Sequence, residues 1–114
     1  MHSHQLFATQ SVPEPLIIDT EIMDDTIRVR VSGEVDVATV DPLAQALSAA
    51  LAQRPDLVEV DLHQVAFIDS SGIAALLRAH RAAVEAGCRL RVVRPQRAVY
   101  RVLDICGLLA HLGL

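Results

Sequence analysis

The chain of 114 residues contains no lysine and no tryptophan. Its aromatic side chains are Phe7, Phe67 and Tyr100, and its ten basic residues, all arginines, are outnumbered by 14 acidic ones for a net charge of −4. Without lysine there is no G-x-x-x-x-G-K phosphate loop, and no G-x-G-x-x-G run is present either. An acidic balance with so few aromatics argues against a nucleic-acid surface built on a basic stripe and base stacking. No stretch approaches the ~18 consecutive apolar residues of a membrane span. The first eleven residues lack the basic-then-apolar order of a secretory signal. Cys88 and Cys106 fall in no metal-ligand spacing and form no disulfide framework, which reads as free thiols in a reducing cytoplasm.

What is present points to one ordinary domain. The chain is 52% hydrophobic and 21% charged, a balance foreign to disordered segments. A chain of this size buries roughly two-thirds of its unfolded surface, enough for a core without metal or disulfide staples. Residues 1–15 read as a flexible leader, because Pro13 and Pro15 bracketing Glu14 discourage helix and ladder alike. His2 and His4 have no third ligand nearby, so no metal site is read there. The domain then runs from residue 16 to 114.

From Leu16 the pattern is periodic. Leu16, Ile18 and Ile22 share one parity, with Ile17, Asp19 and Glu21 on the other, and Asp24-Asp25 reads as a turn. Ile27, Val29 and Val31 alternate with Arg28, Arg30 and Ser32, so the two segments predict an antiparallel hairpin. After Gly33-Glu34-Val35-Asp36, Thr39 or Asp41 can cap a helix whose first turn tolerates Pro42. Leu43, Ala46, Leu47, Ala50 and Leu51 give that helix one apolar face. Leu57 to Leu62 predicts a central strand covered on both faces. A second helix carries Ile73, Leu76, Leu77, His80 and Val84 on one side, and Gly87 closes it. Arg89 to Val93 is a third buried strand candidate. Gln96 to Ile105 predicts a third helix with Val99, Val102, Leu103 and Cys106 facing inward, and residues 108–114 supply at most a short last strand. Strands alternating with helices imply an α/β domain with a largely parallel sheet.

The chemistry concentrates in Asp69-Ser70-Ser71-Gly72, where an apolar run gives way to the second helix. First-turn amides lack intrahelical partners and the dipole is positive there, so a phosphate on a serine would meet backbone donors. Simple N-capping accounts for the same residues, and spacing leaves both readings open. A serine hydrolase is disfavoured: G-x-S-x-G is absent, and Asp69 abuts the serine instead of orienting a histidine.

Three motifs in order resemble a STAS domain of the anti-sigma factor antagonist type: Gly33-Glu34-Val35-Asp36, Phe67-Ile68-Asp69-Ser70-Ser71-Gly72, and Val99-x-Arg101-x-Leu103-x-x-x-Gly107-Leu108. The resemblance covers about Leu16 to Leu108. It implies a mixed sheet of four to five strands packed against helices, and a regulatory module in place of an enzyme, with no cofactor and no metal. It implies that Ser70 is the phosphoacceptor of an anti-sigma factor that is an ATP-using serine kinase, with a separate phosphatase reversing the mark. Unphosphorylated, such a protein binds the anti-sigma factor and frees a sigma factor for transcription in the cytoplasm; phosphorylated, it lets go. Asp36, Asp69, Ser70, Ser71, Gly72 and Ile73 are the expected partner-binding residues.

Some residues depart from the family pattern. Ala74 stands where a second glycine is common, and Cys106 stands where a small polar residue is common, with a half-buried inert thiol as its expected state. Family members continue past Gly107-Leu108 into a strand and a last helix, which this chain is expected to lack. Seven arginines lie between Arg78 and Arg101; they form either a basic face or, more simply, the solvent sides of one strand and two helices. The alternatives to the regulator are a STAS subunit of a lipid-transport ABC complex, a non-phosphorylated stressosome-type scaffold, and a domain severed from an anion transporter. Direct nucleic-acid binding and a membrane span are not expected, and the sequence leaves the oligomeric state open.

Overall fold

The period-two segments at the start of the domain form the expected hairpin. In the computed structural model, which describes residues 14–114, β1 (Ile17–Met23) pairs antiparallel with β2 (Thr26–Val35). Asp24 takes a left-handed φ of 53° in the turn, a conformation that aspartate tolerates better than most residues. The leader assigned to residues 1–15 and the His2/His4 pair lie almost entirely outside the described residues; Glu14 and Pro15 are exposed.

The chain continues through α1 (Val40–Ala52), β3 (Leu57–Ile68), α2 (Ser70–Glu85), β4 (Arg89–Val93) and α3 (Arg97–Ile105). Strand order is β1-β2-β3-β4, with β3 parallel to both β2 and β4. The two parallel crossovers step the same way across the sheet, and with the usual right-handed connection this sets α1 and α2 on one face, where they pack against each other. That face holds the core, where Val29, Val31, Val58, Val60 and Leu62 meet Leu43, Leu47 and Leu76; Val99 and Leu103 of α3 join the same cluster.

β3 is twice as long as the predicted strand, running 12 residues to Ile68. Its register against β2 shifts twice, between Arg30 and Ser32 and between Gly33 and Glu34, with the extra residue on β3 each time. Each bulge flips the alternation. The inward residues therefore run Leu62, Val65, Ile68 at a spacing of three, which hides the strand from a search for period two.

The predicted span of β3 is buried on both faces, but helices cover only one: Glu59 and Asp61 point away from them and are buried beneath arginines. β4, expected to be fully buried, is an edge strand with alternating burial. The last segment forms turns and no strand, although Val92 N–H donates to the Leu112 carbonyl at 2.9 Å beside β4.

The apolar faces of helices and strands follow the predicted spacing with three exceptions. Val84 is exposed because α2 turns its small residues, Gly72, Ala75, Ala79 and Ala83, toward the core; short side chains let the helix approach closely. Ile22 projects from the edge strand into solvent. Cys106 is exposed at the C-cap of α3, neither inward nor half-buried, because Gly107 turns the chain there with φ 72°. Gly87 ends α2 as predicted: at φ 73° it lets Cys88 N–H reach the Ala83 carbonyl at 2.8 Å, the six-to-one bond of a Schellman end.

Candidate functional site at the sheet end

The parallel pairing of β2 and β3 brings two of the sequence motifs together. Val35 is the register partner of Ile68, so Asp36 and Asp69 leave adjacent strands side by side. Asp69 N–H donates to the Val35 carbonyl at 3.0 Å and ties the two exits.

Asp69, not a serine, is the N-cap of α2. Its backbone is extended and its Oδ1 accepts from the amides of Ser71 at 2.8 Å and Gly72 at 3.4 Å. Ser70 is thereby the first helical residue, with its side chain at an exposed position; Ser71 and Ile73 are half-buried and Gly72 is buried. Two of the first-turn donors are already taken by the Asp69 carboxylate, so a phosphate on Ser70 meets fewer vacant amides and a fixed neighbouring charge.

Gly72 is set by packing. A Cβ there would lie 2.5 Å from Ile68 Cγ1 and 2.7 Å from Val35 Cγ1, closer than real contacts permit. The missing methyl lets the start of α2 sit directly on the ends of β2 and β3, and this holds Ser70 at the sheet end.

Asp36 folds its own loop. Its Oδ1 accepts from Ala38 N–H at 2.9 Å and Thr39 N–H at 3.1 Å, an Asx-type turn. Thr39 stands at the N-cap of α1 as expected, yet its hydroxyl caps nothing there. It donates to the Glu34 carbonyl at 2.7 Å and accepts from Asp36 N–H. The six predicted site residues thus converge on one end of the sheet, four of them in the first turn of α2.

Two exposed apolar residues were not among the expected partner-binding residues. Val37 follows Asp36 and is 77% exposed; Phe67 precedes Ile68 and is 48% exposed. Their apolar character at strand exits was the available signal. Also missed were Glu59 and Asp61. Arg91 and Arg28 hold the Glu59 carboxyl below the usual carboxylate range against its burial, with Arg28 Nη2 at 2.8 Å. Burial pushes Asp61 up, but Arg94 at 2.6 Å and the His63 amide outweigh it and the net shift is downward. The signal was two acids alternating with apolar residues in a strand whose neighbours carry arginine at matching positions.

Of the arginines between Arg78 and Arg101, all seven are exposed; Arg91 and Arg94 also neutralise the two β3 acids. Among the described residues no cluster of three or more His, Cys, Asp or Glu could hold a metal ion. No helix there is long and apolar enough to cross a membrane. His80 is half-buried, edge-to-face with His111 at 5.7 Å.

A family model described as "Mlab, STAS domain" matches residues 18–112. An anti-sigma-B factor antagonist of Staphylococcus epidermidis is 31% identical over 93 residues, covering 82% of this chain and 86% of the relative. The chain belongs to the STAS family of anti-sigma factor antagonists. Its fold is also that of a crystallised anti-sigma factor antagonist from Mycobacterium paratuberculosis, at a TM-score of 0.78 and 30% identity over 88% of this chain and 85% of the other. The Bacillus determinant SpoIIAA in its phosphorylated form shares the fold at a TM-score of 0.66 and 23% identity, over 81% of this chain and 85% of the other. Membership places the chain in a non-catalytic regulatory class that works by exchanging partners, and among the described residues the STAS fold carries three helices and a four-stranded mixed sheet.

Proposed function

We propose that this protein is a cytoplasmic partner switch that binds an anti-sigma factor through the sheet end built on Asp36 and Asp69–Ile73, and that phosphorylation of Ser70 releases it. The supporting observation is the position of Ser70. It is exposed at the first residue of α2, between two motif-bearing strand ends, where a kinase can reach it and a docked partner would cover it.

Simple magnitudes favour a switch without refolding. A phosphate adds about −1.5 to −2 charges and takes the domain from −4 to roughly −6. The helix N-terminus stabilises such a charge by about 0.3–1 kcal/mol, and Asp69 opposes it. Burying the same group unpaired in an interface costs several kcal/mol. A loss of about 3–4 kcal/mol lowers affinity by a few hundredfold, so desolvation decides the outcome.

The test is incubation with a candidate anti-sigma kinase and ATP, followed by peptide mass mapping and a pull-down. Phosphate on Ser70 with loss of the complex is expected, whereas Ser70→Ala should bind and no longer be released by ATP. Phosphorylation and release of Ser70→Ala would overturn the assignment. Co-purification with ABC transporter subunits, without modification by any kinase, would decide instead for a transport-complex subunit.

A further inference from the structure

The helix-free face of the sheet is divided along its length. Away from the site its rows are charged: Asp19 and Glu21 on β1 stand opposite Arg30 and Arg28 on β2, which stand beside Asp61 and Glu59 on β3. Each of these groups has an ion-pair partner. Toward the site the next row is uncharged. Ile17 stands opposite Ser32 and Ser32 beside Gln64, whose Oε1 accepts from the Ser32 hydroxyl at 2.5 Å. The last outward pair is Glu34 with Phe67, because Val35 and Ile68 turn inward. Ile17 is 70% exposed.

Against the uncharged row opens a cleft of about 620 Å³. Ile17, Ser32, Gln64 and Ala66 line it from the sheet, and Asp36 and Thr39 from the loop before α1. Gly33 adds no side chain to it, and its φ of 123° is one that glycine holds readily. The exposed acids Glu14 and Glu34 border it as well.

We propose that this cleft is part of the anti-sigma factor's seat. The partner runs from Ser70 around the sheet end onto the uncharged half of the helix-free face. It places an apolar side chain, with no acid beside it, between Ile17 and Ala66, and Phe67 flanks the path. The inference rests on the partner-switch reading above and extends that site to Ile17 and Ala66, which lie in none of the three motifs.

Size requires such an extension. A stable interface covers about 800 Å² of each partner, a patch about 28 Å across. One helical turn, about 5.4 Å long and about 10 Å wide, is a small part of that. Ser32 lies three residues back along β2 from Val35, about 10 Å, and Ile17 one strand further across, about 5 Å, so both fall within the patch. Its direction follows from Ile17 and Phe67, which both project from the helix-free side. Asp36 supplies the continuity: it is a residue of the Ser70 site and also a wall of the cleft, held in place by its bonds to the amides of Ala38 and Thr39. An apolar group suits this half because Ser32 and Gln64 satisfy each other. Beyond them the same face would require stripping water from ion-paired heads.

Binding of the full, unphosphorylated chain to a candidate anti-sigma serine kinase tests this, by titration calorimetry without ATP and steady-state phosphorylation with it. Ile17→Ser removes the apolar wall and Ala66→Arg fills the cleft. Ile22→Ser is the control, on the same strand and 62% exposed but at its far end. Urea titration checks that each variant folds. Ile17→Ser and Ala66→Arg should each weaken binding at least about tenfold and raise KM, with kcat at Ser70 within about twofold of wild type. Ile22→Ser should bind as the wild type does. Wild-type affinity in both cleft variants, with Ser70 still phosphorylated, would overturn the extension and leave the Ser70 switch standing. A wild type that no such kinase binds or modifies would overturn both readings. A dimer in sedimentation equilibrium that Ala66→Arg dissociates would give the cleft to a second copy and also overturn the proposal. Should Ala66→Arg fail to fold, Ile17→Ser against Ile22→Ser decides.

Discussion

Replacing Gly72 by alanine sets two well-known effects against each other at the sheet end. Within a helix the change gains up to about 1 kcal/mol in propensity, and less in the first turn, where Gly72 lies. Against that, the added Cβ would sit 2.5 and 2.9 Å from two atoms of Ile68 and 2.7 Å from Val35 Cγ1. Both Cγ1 atoms are bonded directly to a branched Cβ in paired strands, so neither can swing aside cheaply. Overpacking of this kind costs about 1–3 kcal/mol, and the rigidity of these neighbours puts it at the upper end. A net loss of about 2 kcal/mol, or about 10 °C in melting temperature for a domain of this size, is expected. Urea unfolding of Gly72→Ala, Ile68→Ala and the double variant measures it. Ile68→Ala alone costs about 2–5 kcal/mol, yet the double variant should lose less than the sum, because the cavity receives the methyl. A raised melting temperature in Gly72→Ala, or losses additive within about 0.5 kcal/mol, would refute the packing argument.

Acid should unfold the protein partly through β3. Glu59 and Asp61 titrate lower folded than unfolded, so their stabilisation is complete above the unfolded values of about 4–4.5 and is lost as pH falls through the folded ones. The urea midpoint should decline below about pH 5, less steeply in Glu59→Gln; equal slopes would exclude Glu59 as a source. At the start of α2, Asp69→Ala should cost about 1 kcal/mol, while Asp69→Asn keeps most of the cap. Equal losses in the two would mean that charge matters there and the hydrogen bonds to Ser71 and Gly72 do not. Thiol labelling with peptide mapping should modify exposed Cys106 in the native protein and Cys88 only on unfolding, since Cys88 is buried and burial pushes its thiol pKa up. Rapid native labelling of Cys88 would contradict its position.

Elements with a regular period were legible from residues alone. The alternation of Ile27, Val29 and Val31 with arginines gave β2, and the Leu43–Leu51 spacing gave α1, both now seen buried as expected. Where the period broke, reading failed for a physical reason. The bulges in β3 replace an interval of two by three, so a strand of 12 residues looked half as long. Val84 was read as core because large apolar residues dominate a helical wheel, while the helix in fact buries its alanines to come close. The site motifs were visible by resemblance, but their adjacency was not: it depends on the Val35–Ile68 register, a contact between residues 33 positions apart. Nor does any period reveal that Asp69 spends its carboxylate on the amides of Ser71 and Gly72.

That last contact shapes how the proposed switch works. If the first-turn amides were vacant, a phosphate on Ser70 could fold back onto them, and its charge would be partly hidden from a partner. With Oδ1 of Asp69 bonded to both, and Gly72 pinned against Ile68 and Val35, the turn offers few further donors and cannot readily move to make them. A phosphate on Ser70 is then left facing solvent beside a second negative charge. Solvent tolerates that arrangement, but an apolar interface reaching over Val37 and Phe67 does not. On this reading the rigid cap is what turns modification into release: it denies the phosphate an internal partner, so the full desolvation cost falls on the complex.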